Sequence, residues 1–147
     1  MATAGITLGT LEADANVIIT AAGNTAITNE AALALQGAVT GTLAATATTG
    51  DITDSDALAV SGASVFTLGA DGTNITLDSA SNAFSGAVTL KAGSSGGQTF
   101  GNITFVDSGA IDFAGSASSD GDLFLDGGTD NTVGGTLDVT ATAGGIT

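Results

Sequence analysis

A chain of 147 residues is the length of a single domain, and one Lys against 15 acidic residues gives it a net charge of -14. Without cations it can neither release counterions from phosphates nor adhere to anionic headgroups, so nucleic acid and acidic membrane surfaces are excluded as partners. The absence of Cys and His removes disulfides, thiolate zinc sites and nearly all nucleophile–base pairs, and no run approaches the ~18 apolar residues of a spanning helix.

Along the chain the dominant signal is a period of two. Pairs of the form apolar–x–apolar occur at Ile6/Leu8, Val17/Ile19 and Leu33/Leu35, then at Leu58/Val60, Phe66/Leu68, Ile75/Leu77 and Val88/Leu90. They continue at Ile103/Phe105, Ile111/Phe113, Leu123/Leu125 and Leu137/Val139. Alternation of this kind sends one side chain into a core and the next out of a pleated strand. Between the pairs lie turn-forming clusters of Gly, Asn, Asp and Ser, such as residues 69–72 and 126–130. The Ala-rich run 29–35 could form a helical turn, although its apolar spacing also reads as a strand. The regular apolar placement and a mean hydropathy of +0.43 argue against a disordered acidic chain.

Short strands with frequent turns fit either an antiparallel sandwich or a solenoid. Six Phe and no Trp or Tyr are few for a sandwich core, whereas a narrow solenoid is filled by stacked aliphatics. The sequence also repeats itself. Residues 38–53 (AVTGTLAATATTGDIT) return at 132–147 as TVGGTLDVTATAGGIT, and ATAGIT at 2–7 resembles the end of the same unit. A looser phrase, Gly-x-[IVL]-x-[LF], recurs at 101–105, 109–113 and 121–125. Self-similarity of this kind marks stacked units that cannot bury their faces alone. The expectation is an all-β, right-handed, single-stranded parallel β-helix (a β-solenoid) spanning 1–147 as one domain and forming a repeat fragment of a longer shaft. At about 20–25 residues per coil it makes about six or seven coils.

Candidate chemistry rests on carboxylates. Asp54/Asp56 and Asp120/Asp122 are spaced i, i+2, as a glycosidase-like acid pair on one strand face could be. Sugar-binding Trp, Tyr, Arg and His platforms are all missing, so the chain is expected to be no enzyme. Asp54, Asp56, Asp120, Asp122, Asp126 and Asp130 are the candidates for weak calcium binding, because hard cations seek clustered oxygens. The competing reading is that Asp and Asn cap turns through their own local backbone, with no cofactor at all. Thr46-Ala47-Thr48 and Thr140-Ala141-Thr142 are Thr-x-Thr units of the type arrayed on ice-binding solenoids, but they are not spaced to recur on every coil. Open solenoid ends could also template further pairing, so a second copy stacked end to end, or neighbouring repeats of a longer chain, are the expected partners.

The phrases GTLAATATTGDITDSDALAVSGASVFTLGADGTNITLDSASNAFSGAVTLKAG (41–93) and GTLDVTATAGGIT (135–147) resemble very long bacterial surface proteins. These are the filamentous-haemagglutinin-like and autotransporter-like β-strand-repeat proteins. The resemblance implies a right-handed parallel β-helical shaft, export across the outer membrane and a role in adhesion or biofilm structure. It carries over no functional residue, because the shared Gly, Ile and Leu positions are structural. The secretion-targeting segment of such proteins is not seen here, so an internal shaft segment is expected. The functional expectation is therefore a secreted or cell-surface structural module. The alternatives are a self-assembling filament subunit and a carbohydrate-binding or carbohydrate-processing β-helix.

Overall fold

The computed structural model describes residues 5–11, 16–92, 99–113 and 132–147. The elements are fourteen strands: β1 (Ile6–Leu11), β2 (Val17–Ala21), β3 (Thr25–Asn29), β4 (Leu33–Val39), β5 (Leu43–Ala47), β6 (Ile52–Val60) and β7 (Ser64–Leu68). They continue as β8 (Ile75–Leu77), β9 (Ala83–Phe84), β10 (Val88–Ala92), β11 (Thr99–Phe100), β12 (Ile103–Asp107), β13 (Thr132–Val133) and β14 (Leu137–Ala141). The Ala-rich run 29–35 forms no helical turn; it closes β3, turns and opens β4.

Every strand pairing among the described residues is parallel. One sheet runs β1-β3-β5-β7-β10 and a second runs β14-β12-β8-β6-β4-β2, with β9 joined to β6. A short third sheet pairs β11 with β13. Strands adjacent in space are separated in sequence by a whole coil, which is the signature of a solenoid. The second sheet is itself divided. Leu35 pairs with Asp54 and Gly37 with Leu58, so residues 55–57 of β6 stand opposite Gln36 alone. This irregularity bends the chain and separates the column led by Leu33 from the column led by Ile19.

The winding makes about four turns, not six or seven. The reason is that coil length is not constant. Hydrogen-bonded neighbours in successive coils lie 18 residues apart at Asn24–Thr42, 23 at Asp51–Asn74, 28 at Asn74–Asn102 and 34 at Asn102–Thr136. Part of the growth lies inside a strand, because β6 carries three residues where β4 has one and their register shifts there. The two copies of the long sequence repeat also part company: Leu43–Ala47 lies in the first sheet and Leu137–Ala141 in the second. They do not occupy the same position of the winding.

The core is a set of vertical columns. Thr25, Leu43, Ser64 and Val88 stack in one; Ile27, Ala45, Phe66 and Leu90 in the next; Asn29, Ala47, Leu68 and Ala92 in a third. Each column mixes large and small residues, which is how a narrow interior fills without voids. Ile75, Leu77, Ile103 and Phe105 from the second sheet are likewise fully buried. Phe66, Phe84, Phe105 and Phe113 form a chain of ring contacts at 5.9, 5.0 and 5.6 Å between centroids. These edge-to-face and tilted pairs tie the sheets together across the interior.

The column through Thr25 carries a misfit. Its hydroxyl is buried beside Leu43 and has no hydrogen-bond partner. Replacing that hydroxyl by a methyl removes an unsatisfied polar atom without changing the shape of the side chain. Thr25→Val is therefore expected to stabilise the fold by ~1 kcal/mol, read as a melting temperature ~2–4 °C higher.

Candidate functional site

The turns are organised by side chains that bond the next coil. The residue immediately before the second-sheet strand is Asp51, then Asn74, then Asn102 in successive coils. Asp51 accepts from the Asn74 main-chain N–H at 2.7 Å and also from the Asn74 side-chain amide. Asn74 Oδ1 accepts from the Asn102 N–H at 2.7 Å, and Asn102 Oδ1 from the Thr136 N–H at 2.9 Å. Asn24 does the same for the Thr42 N–H at another corner. Each rung thus caps an N–H of the rung that follows it. These groups do not cap their own turn, as local Asx turns would. The signal was present in the sequence as the triplets Asp51-Ile52-Thr53, Asn74-Ile75-Thr76 and Asn102-Ile103-Thr104.

A neighbouring corner is built from glycines because coils approach too closely for a side chain. A methyl on Gly62 would lie 2.6 Å from the Gly41 carbonyl oxygen, and one on Gly86 2.6 Å from that of Gly62.

Asp54 and Asp56, singled out by spacing, do not form a pair. Asp54 is half-buried, and its two oxygens accept from the Asp78 N–H (3.2 Å), the Ser79 N–H (3.0 Å) and the Asn82 side chain (2.5 Å). Asp56 is exposed and accepts from the Ala57 N–H next to it at 2.8 Å. The three-against-one irregularity at 55–57 breaks the alternation that i, i+2 spacing relies on. Asp120, Asp122, Asp126 and Asp130, like Leu123 and Leu125, lie outside the described residues. Among the described residues, no three His, Cys, Asp or Glu come together as a metal-binding group. Among the described residues, no helix is long and apolar enough to cross a membrane.

Outward-facing Thr forms columns of its own. Thr28, Thr46 and Thr67 stand in register and lead to Lys91, while Thr53, Thr76 and Thr104 do so on the second sheet. The two Thr-x-Thr units noted in the sequence fall on different sheets; Thr142 instead donates its hydroxyl to the Ser108 carbonyl.

Residues 22–91, from the turn before β3 to the middle of β10, match a family described as repeats of unknown function (DUF5649). The chain is a β-repeat protein. The matched stretch of this repeat protein holds most of the first-sheet columns, from Thr25, Ile27 and Asn29 to Val88 and Leu90. Comparison with curated proteins and with solved structures gave no match.

Sequence reasoning passed over one buried polar corner of the repeat protein. Asn82 and Asp107 are both fully buried. Asn82 Oδ1 accepts from the Leu58 N–H at 2.8 Å, and its amide donates to Asp54. One coil later, Asp107 Oδ1 accepts from the Phe84 N–H and the Gly109 N–H, both at 3.2 Å.

Proposed function

We propose that the chain is a non-catalytic structural segment, one stretch of a β-helical shaft exposed outside a bacterial cell. The observation that carries this reading is the unbroken parallel ladder through β1, β3, β5, β7 and β10 over filled core columns. A rod held by such ladders resists bending, because each coil is bonded along its length to the next. Right-handed winding follows the preferred hand of parallel crossovers. The resemblance of 41–93 and 135–147 to filamentous-haemagglutinin-like surface proteins supports export and a role in adhesion or biofilm. The acidic, Thr-rich exterior suits a surface that must not pair sideways.

Antibody raised against the chain should label intact cells of its source, and external protease should remove the label. Label that appears only after permeabilisation would remove the shaft from the surface.

A filament subunit is the second reading, supported by the positions of the exposed large apolar residues. Leu8 (38% exposed) and Ile18 (70%) lie on the first two strands, and Leu137 (46%) and Ile146 (51%) on the last coil. Light scattering that grows with protein concentration favours this reading, and a concentration-independent monomer ends it.

A further inference from the structure

The pattern Asn-x-Ser/Thr occurs at two places in the sequence, Asn74-Ile75-Thr76 and Asn102-Ile103-Thr104. It is the acceptor pattern for a sugar on a side-chain amide nitrogen. In both triplets the Ile is fully buried and opens its strand, while the two Thr stand in register on the outer face. Residues two apart on an extended segment share a face, so the Thr hydroxyl lies on the same side as the Asn amide.

The two sites differ at the amide nitrogen. Asn74 is half-buried, and its Nδ2 donates to both carboxylate oxygens of Asp51 at 3.2 and 3.1 Å. Asn102 is exposed. Its Oδ1 accepts from the Thr136 N–H at 2.9 Å, whereas its Nδ2 has no partner among the described residues. The preceding rung offers Asn102 no carboxylate, because Asn74 stands where Asp51 stood one coil earlier. The next coil meets it with Gly134-Gly135, where a methyl on Gly135 would strike the Asn102 side chain. A sugar on Nδ2 keeps the amide oxygen as an acceptor. At Asn102 it therefore preserves the rung, and at Asn74 it removes an N–H that reaches Asp51.

We propose that Asn102 is a glycosylation site, whose Nδ2 takes a sugar from a diphosphate-activated donor by the action of a separate transferase. The new bond joins Nδ2 to the anomeric carbon. The bond from that carbon to the diphosphate oxygen breaks, the diphosphate leaves with the electron pair, and one amide proton passes to a base of the transferase. The uncharged sugar projects from a corner of the winding. The site does not depend on whether the chain forms filaments.

The test is peptide mapping by mass spectrometry of the chain isolated from its source, beside the same chain made in a host without such transferases. The peptide holding Asn102 is expected to carry added sugar mass in the first preparation and none in the second. One sugar residue indicates a nucleotide-linked donor and a preassembled oligosaccharide a lipid-linked one; either supports the site. Thr104→Val, expressed in the source, keeps Asn102 and the outward β-branched shape, and should lose the modification completely while melting like the parent. Thr76→Val removes only the pattern at Asn74 and should leave the modification unchanged. An unmodified Asn102 in the parent overturns the site, and so does a sugar that persists in Thr104→Val or sits on Asn74 instead. Should Thr104→Val fail to fold, the map of the parent alone decides.

Discussion

Phe105→Asp is expected to abolish cooperative unfolding. Phe105 is fully buried on β12, between Leu77 of the preceding coil and Val139 of the following one. Its ring also meets Phe84 at 5.0 Å and Phe113 at 5.6 Å, so one side chain joins the column to the rest of the aromatic chain. Removing the ring alone costs ~3–5 kcal/mol, and a carboxylate in the same space has neither a donor nor water around it. Together these match or exceed the ~5–15 kcal/mol that holds a typical domain folded. Circular dichroism should show a broad, non-cooperative melt for Phe105→Asp. Phe105→Leu, which keeps the position apolar, should melt sharply a few degrees below the parent. A Phe105→Asp variant that melts like the parent would mean that the residue faces no core.

The second large effect is at Gly37. It adopts φ +114 in the middle of β4, a conformation that L side chains rarely take, and a methyl there would drive into the Ile19 carbonyl of β2. Relief requires β2 to move off β4. Among the described residues β2 is the last strand of its sheet, held by β4 alone. Gly37→Ala is therefore expected to cost ~3 kcal/mol or more, well above backbone strain alone. Hydrogen exchange should localise the loss to β2, since coils of a solenoid depend on their neighbours. Gly72 supplies the comparison. It has φ +72 with open space around it, so Gly72→Ala carries the strain without the collision and should cost ~1 kcal/mol. If the two variants lose equal stability, the close approach of β2 and β4 is not what fixes glycine at 37.

Period-two alternation was enough to find the interior where the inward residues are large. Leu58, Val60, Phe66, Leu68, Ile75, Leu77, Val88, Leu90, Ile103 and Phe105 are all buried as expected. It overlooked β3 and β5, whose inward residues include Thr25, Asn29, Ala45 and Ala47, because small and polar side chains give no apolar contrast. It overestimated Leu8 and Leu137, which belong to strands with coil neighbours on one side only. The number of turns was not legible because no fixed period exists. Lengthening a coil costs little entropy, and neither the turns nor the strands are held to one length. The rungs of Asp51, Asn74 and Asn102 were legible in principle, since an Asx residue precedes the same Ile-Thr pair each time. Asp107 was not legible, because its singular position depends on which amides the winding brings to it.

The central claim is that segments about one coil apart lie side by side and run in the same direction. The natural chain has no cysteine, so pairs can be introduced without interference. Ala26 of β3 and Ala44 of β5 are register partners on the outer face, as are Thr28 and Thr46. Parallel neighbours at ~4.8 Å lie within disulfide reach, whereas the diagonal pair Ala26 and Thr46 would be ~8 Å apart. Under mild oxidation, the double variant Ala26→Cys/Ala44→Cys is expected to cross-link readily and Ala26→Cys/Thr46→Cys poorly. The opposite order, with 26 joining 46 and 28 joining 44, is that of an antiparallel hairpin and would contradict the solenoid.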